Sequence, residues 1–311
     1  MPKPEVRIDL HAGAEPSALW VTAVGLPGGG EAVLHLRAGT RGDRRRRSIR
    51  RSDEGPRLLI HALGRTQVAS PEHDLSTEWL GERPGQVLKY LITERSRVVM
   101  VDEIAETIWP DVGPRAINST RYSVHRLRQK LEPIRAARAH PAFVKSQHGG
   151  YFLDRERVWL DVDDFERAIE QGRLSMSRLN SQVAAHHLER ALALYRGPFL
   201  ADEPYAEWAT DERNRLSGMA VYAARILLAL ARERSDATAA LRYLEVLSAL
   251  EPYDGVVHRE FTQALLLLGQ RSGAKREYEA FAQRLRREFG LEPDFDLRSV
   301  SGAAAEATRL R

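Results

Sequence analysis

Hydrophobic spacing divides the chain near Trp159: before it, short apolar runs alternate with helical stretches, and after it only helical spacing survives. Leu58–Leu63 and Thr66–Ala69 read as short strands around Gly64, with a polar turn at Pro71–Asp74. Val87, Leu88, Leu91 and Ile92 then recur at helical spacing and predict a helix over Pro84–Glu94. Ile104, Ala105 and Ile108 mark a second helix, Val101–Trp109, which Pro110 ends. Asn118 or Ser119 is placed to cap a third helix running to Leu131, with Pro133 closing it. Phe143–Ser146 and Tyr151–Leu153 flank Gly149-Gly150 and read as a hairpin. Strands, three helices and a closing hairpin are the order of a winged helix-turn-helix.

Beyond Trp159 the pattern predicts helices at Asp163–Met176, Ser181–Tyr195, Tyr205–Arg234, Ala237–Ala249, Val256–Leu268 and Ser272–Phe289. Ala239, Tyr243 and Leu250 recur 35 positions later as Ala274, Tyr278 and Leu285, and Leu250-Glu-Pro252 is echoed by Leu291-Glu-Pro293. A period near 34 with small and aromatic positions predicts tetratricopeptide-like helix pairs, which stack because one pair alone cannot bury its apolar face. The fold class expected is therefore mainly α: a winged helix-turn-helix (α+β) followed by an all-α, tetratricopeptide-like domain.

Residues 1–56 have a different character. Two apolar stretches, Ala18–Gly25 and Ala32–Leu36, flank the turn-like Pro27-Gly-Gly-Gly30, and Arg44–Arg47 follow. This reads as an extension, flexible or a partial hairpin, with the arginine run as a solvated linker. Charge sharpens the division: residues 1–56 carry net +3, 57–158 net +4 and 159–311 net −3. A basic front and an acidic back point to different partners, with polyanions at the front. The chain contains no cysteine, which removes disulfides, thiolate catalysis and cysteine metal sites, and makes a reducing cytoplasm the natural compartment. No stretch approaches the roughly 18 apolar residues of a membrane span, and the N-terminus lacks a secretory pattern.

The third helix carries the chemistry. Ile117, Val124, Leu127 and Leu131 fall on one face, leaving Asn118, Arg121, Tyr122, His125, Arg128 and Gln129 on the other. Between Gly113 and Leu131 there is no Asp or Glu, while Arg115, Arg121, Arg126, Arg128 and Lys130 are present. Five cations without an anion repel one another on an ordinary surface helix, and phosphates relieve that repulsion. Arginine suits bidentate recognition of guanine, and asparagine of adenine, in a major groove wide enough for a helix. Asn118, Arg121 and His125 are thus candidates for reading base edges, Arg126, Arg128, Lys130 and Lys145 for backbone contacts, and Ser119 and Tyr122 complete the DNA-facing set on the helix. In the hairpin, Lys145, Gln147, His148 and Gly149 form a candidate wing contact to phosphate or the minor groove.

Other motifs carry less. Gly25–Gly30 lacks the Lys-Ser/Thr of a phosphate-binding loop, and no HExxH pattern occurs. His186 and His187 point about 100° apart on a helix, as a solvated pair. Asp161, Asp163 and Asp164 read as a helix N-terminal cap, and Tyr205 and Trp208 as core. No catalytic constellation, metal site or cofactor motif is identified.

A family resemblance joins these segments. Arg126-Leu-Arg-Gln-Lys-Leu131, with Glu132-Pro133 and Gly149-Gly-Tyr151, resembles the OmpR-type winged helix, and Arg57–Trp79 resembles its opening strands. Leu160–Phe165, Ala191–Leu200 with Tyr195-Arg-Gly-Pro-Phe199, and Phe289-Gly-Leu-Glu-Pro293 resemble the bacterial transcriptional activation domain. In this order they resemble the Streptomyces antibiotic regulatory protein family over about residues 57–297. Glu78 and Glu82 depart from it, standing where relatives are often basic. The resemblance implies a winged helix that binds direct repeats near promoters and a helical domain that supports dimerisation and polymerase recruitment.

The expected organisation is an extension at 1–56, a winged-helix DNA-binding domain at 57–158 able to fold alone, an activation domain at 159–297 and a tail at 298–311. The expected function is a cytoplasmic, nucleoid-associated transcription activator, not an enzyme. Its partners are double-stranded promoter DNA with direct repeats, a second copy of the chain on that DNA, and RNA polymerase, through either its sigma factor or the C-terminal domain of its alpha chain. The alternative is a protein-interaction adaptor in which the repeats dominate and the winged helix contacts protein.

Overall fold

The computed structural model describes residues 58–71, 75–136 and 139–301, together with the backbone of three strands between residues 5 and 39. The chain forms two compact units, residues 1–54 and 55–311. In the first, β1 (Glu5–Leu10), β2 (Ser17–Val24) and β3 (Val33–Gly39) form an antiparallel sheet in that order. The two stretches expected to pair do so, with Val21 opposite Leu36, and a third strand sets Val6 opposite Val21. The Pro27–Gly30 turn, the Arg44–Arg47 run and the tail beyond residue 301 lie outside the described residues.

The second unit opens with β4 (Leu58–His61), antiparallel to β5 (Gln67–Ala69). The helices α1 (Arg83–Thr93), α2 (Val101–Ile108) and α3 (Ala116–Leu131) follow. A two-residue strand, β6 (Val99–Met100), joins the wing strands β7 (Val144–Gln147) and β8 (Gly150–Leu153) in the order β6-β8-β7. Gly85 in α1 is dictated by close approach, since a Cβ there would lie 2.2 Å from the Leu80 carbonyl oxygen.

Three antiparallel helix hairpins come next. They are α4 (Asp161–Ser177) with α5 (Ser181–Leu194), α6 (Thr210–Glu233) with α7 (Ala237–Leu250), and α8 (Gly255–Leu267) with α9 (Arg271–Phe289). Side chains cap three of these helices, as Asn180, Asp236 and Asp254 accept from Val183 N, Ala239 N and Val256 N at 3.2, 2.9 and 2.9 Å. Gly290 ends α9 in the left-handed region at φ 67°. The 35-residue echo falls on α7 and α9, the second helix of its hairpin in each case, and each echoed pair has one buried and one half-buried member: Ala274 against Ala239, Tyr243 against Tyr278, Leu285 against Leu250.

The head and the helical region share one continuous core running from Leu58 to Ala274. The seam is β9 (Val158–Leu160), which pairs in parallel with β4 across the position where strand character was expected to end. Asp161 lies fully buried behind it. Its carboxylate accepts from the backbone N–H groups of Ala62 (2.8 Å) and Leu63 (3.1 Å) and from Arg196 Nη2 (3.2 Å). The cap reading is therefore corrected for this residue, because α4 has no side-chain cap and Asp161 instead satisfies amides of the head. Leu200 N donates to Ala62 O (2.9 Å), Gly64 N to Pro198 O (3.1 Å) and Ala201 N to Gly64 O (2.9 Å).

Ion pairs tie the same halves. Lys89, 1% exposed on α1, meets Asp202 at 2.7 Å and Glu203 at 2.8 Å. Arg95 meets Asp163 (3.3 Å), Glu166 (3.0 Å) and Glu212 (2.7 Å). A second correction concerns Tyr205, which is 95% exposed rather than core, whereas Trp208 packs edge-on against Tyr90 at 5.4 Å.

Candidate nucleic-acid interface

The fold turns α3 outward. Its buried positions are Ala116, Thr120, Ser123, Val124, Leu127 and Leu131, and Ile117 is half-buried, so the expected apolar face holds. Asn118, Arg121, Tyr122, His125, Arg126 and Gln129 are exposed. Tyr122 is 65% exposed, an uncommon position for an aromatic ring without a partner to cover it. No hydrogen bond or ion pair engages the side chains of Asn118, Arg121, Tyr122, His125 or Lys130 among the described residues, and Arg126 reaches only Gln129, at 3.4 Å.

The helix begins earlier than capping logic suggests. A 3-10 turn at Gly113–Arg115 leads directly into Ala116, with no side-chain cap and no acidic residue in the first turn. Asn118 and Ser119 are thus inside the first turn rather than caps, and Ser119 Oγ donates back to Arg115 O at 3.4 Å. Uncapped amides at a helix start, with the helix dipole behind them, favour an anion there.

The wing is built on a tight turn. Gln147 pairs with Gly150, leaving His148 (φ 48°) and Gly149 (φ 83°) as a two-residue loop with both φ positive, the type I′ geometry that matches strand twist. The turn is His148-Gly149 rather than Gly149-Gly150. Gly150 serves packing instead, since a Cβ there would lie 2.5 Å from Val99 O. Gln147, His148 and Gly149 are exposed at the tip.

Two residues expected at phosphates are turned to protein. Arg128 Nε donates to Val144 O (2.9 Å) and its Nη2 to Ser146 Oγ (2.7 Å), with the guanidinium over the Tyr151 ring at 5.5 Å. Burial pulls its pKa below the usual arginine value, against the smaller opposing pull of Tyr151 and Glu132. Lys145 pairs with Asp154 at 2.5 Å. Arg128 thus rivets the wing strand β7 to α3. Sequence reasoning missed that role, because a helix-face plot shows only an exposed arginine. The acidic Glu78 and Glu82 are exposed around the 3-10 turn before α1.

Residues 77–153 match the model of the C-terminal domain of transcriptional regulatory proteins, and residues 160–303 match the bacterial transcriptional activator domain. The Regulatory protein DnrI of Streptomyces peucetius is 27% identical over 256 residues, covering 80% of this chain and 93% of its own. The chain is similar to the Streptomyces antibiotic regulatory proteins in carrying these two domains in this order. The Transcriptional regulatory protein MoaR1 of Mycobacterium bovis is 26% identical over 217 residues, 69% of each chain. Among solved structures, Mycobacterium tuberculosis EmbR, in complex with a low affinity phosphopeptide, shares the fold. It superposes with a TM-score of 0.57 at 23% identity, over 81% of this chain and 65% of that one. The matched domains and the relatives are those of transcriptional regulators rather than enzymes, and this chain is a transcription regulator of OmpR-type and activator-domain make-up. Among the described residues no helix is long and apolar enough to cross a membrane.

Proposed function

We propose that the chain is a sequence-specific DNA-binding activator. The exposed stripe of α3 enters the major groove, with Asn118, Ser119, Arg121, Tyr122 and His125 at base edges and Arg126 and Lys130 at phosphates. Gln147, His148 and Gly149 at the wing tip follow the adjacent backbone, and Lys145 stands behind them. Two copies bind direct repeats near a promoter, and the helical hairpins recruit RNA polymerase through its sigma factor or the C-terminal domain of its alpha chain. The protein works in the cytoplasm on the nucleoid.

One observation carries this reading: a helix face with Arg121 and Arg126 exposed, no acid from Gly113 to Leu131, and no ion pair among the described residues. Among the described residues the exposed cations have no protein counter-charge within reach, and DNA phosphates would supply one. Footprinting of the full chain on its own upstream region tests it. Two protected repeats spaced by about one helical turn, lost steeply with salt, are the expected result. Salt-insensitive binding, or none, overturns it.

A further inference from the structure

The sheet of the first unit sorts its residues by face. Register sets Val6, Val21 and Leu36 in one row across the three strands, and Ile8, Leu19 and Ala38 in another. Strand alternation places both rows on the same face, and the remaining positions of that face are Leu10, Ala23, Leu34 and Ser17. Of its ten strand positions only Ser17, at the start of β2, is polar. The other face carries Glu5, Arg7, Asp9, His35 and Arg37. The pattern sets one face for water and the other for burial.

Among the described residues the first unit is this single layer. A sheet with one apolar face is stable only when a second layer buries that face. The face holds no charged residue, so a charged occupant would lose its water without gaining a partner. A second copy of the same face brings no charge at all. Two identical sheets also share one twist, the condition for stacking face to face at about −30°. Such a pair is isologous and closes at two copies. Its size is sufficient: nine apolar residues at roughly 60–90 Å² each bring about 500–800 Å² per copy, so two copies reach the ~1,200 Å² at which specific interfaces begin.

We propose that the apolar face of β1–β3 seats the same face of a second copy, making this sheet the clamp of a dimer. The inference gives a surface to the two-copy binding above and rests on that reading for its use on DNA. The eighteen residues from 40 to 57 reach at most about 60 Å. A connection of that length lets a symmetric clamp serve two heads set in tandem, as direct repeats require. Sedimentation equilibrium of the full chain without DNA tests the clamp. The wild type should be a dimer at micromolar concentration. Val21→Arg sets two like charges at the centre of the stack and should weaken dimerisation about a hundredfold or more. Thr22→Arg, the next residue along and on the other face, should leave it unchanged. The double variant Leu19→Thr/Val21→Thr keeps good strand formers at both positions and should also weaken it, which separates a lost face from a lost strand. On a two-repeat operator Val21→Arg should bind more weakly than the wild type, and on a single repeat equally. A monomeric wild type, a Val21→Arg dimer as tight as the wild type, or equal loss in Thr22→Arg overturns the clamp and leaves DNA binding standing. A clamped dimer that binds no operator overturns the activator reading and leaves the clamp.

Discussion

Lys89 Nζ stands 2.7 Å from Asp202 Oδ2, joining the first helix of the winged-helix head to a loop more than a hundred residues downstream. Removing one side of a buried ion pair costs about 3–5 kcal/mol, because the other charge stays desolvated. The double variant Asp202→Ala/Glu203→Ala should therefore lower the melting temperature by roughly 10 °C or more, while Lys89→Met, which removes the charge and keeps the stem, should cost far less. Thermal unfolding followed by circular dichroism compares them, and equal losses would assign the effect to packing.

The same contact bears on the isolated head. The sequence pattern alone predicts that residues 57–158 fold by themselves, yet the fragment would expose Lys89, leave the Ala62 and Leu63 amides without Asp161, and deprive Lys89 of both its acids. We predict a fragment with poorly dispersed amide spectra. A fragment ending at residue 215 should fold, and dispersion as good as that of the full chain from 57–158 would sink this view.

Arg121 and Arg128 separate reading from positioning. Arg121→Ala should cost about 1–3 kcal/mol at the preferred site and relax specificity there. Arg128→Ala, which frees β7 from α3, should weaken specific and random DNA alike, and Arg128→Lys should not rescue it because a lysine lacks the planar fork that holds Val144 O and Ser146 Oγ together. Competition binding at fixed salt distinguishes them.

Acid should loosen the seam between head and helices. Burial acts to raise the carboxyls of Asp202 and Glu212, but the bonds each makes to Lys89 and Thr66 or to Arg215 and Arg95 win, so both lie below the usual range. A depressed pKa contributes stability that is full above the unfolded value, about 4, and is lost as pH falls through the folded one. Asp163 runs the other way, since burial outweighs Arg155 and Arg95 and holds it high, so its ionisation opposes folding. The part of the stability carried by Asp202 and Glu212 should therefore be lost below about pH 4. Asp202→Asn should shrink that loss, as urea midpoints across pH would show.

Gly150→Ala should also injure the wing. The added methyl meets Val99 O at 2.5 Å and Val98 Cγ1 at 2.8 Å, so β6 and β8 must part. Loss of DNA affinity is expected from Gly150→Ala, with α3 helicity intact, and a much smaller effect from His148→Asn, since asparagine tolerates positive φ. Gel-shift titration beside far-ultraviolet circular dichroism reads both.

Most of this architecture was legible because helices declare themselves locally. The apolar periods around Val87–Ile92, Ile104–Ile108 and Val124–Leu131 place the first two head helices within one residue at each end and the third within four. What escaped was non-local. β9 is three residues long and pairs with a strand about a hundred positions earlier, a relation that periodicity cannot encode. Asp161 looks like a cap because a carboxylate at a helix start usually is one, and its true acceptor role depends on amides brought from Ala62 and Leu63. Lys89 did leave a sign: a lysine inside the run Val87–Ile92 is out of place unless buried acids await it. In the candidate interface, the stripe on α3 is visible residue by residue. The diversion of Arg128 and Lys145 to protein partners is not, because those partners lie on the wing and just beyond it.

The parallel pairing of β4 with β9 has a consequence during synthesis. The head's first strand must wait for Val158–Leu160, and its amides and lysine must wait for Asp161, Asp202 and Glu203. Emerging from the ribosome, the reader is finished only after the activator domain has begun to appear. A chain aborted shortly after the wing would not yield a competent head, so truncated products of this gene should not occupy operators in competition with the whole protein.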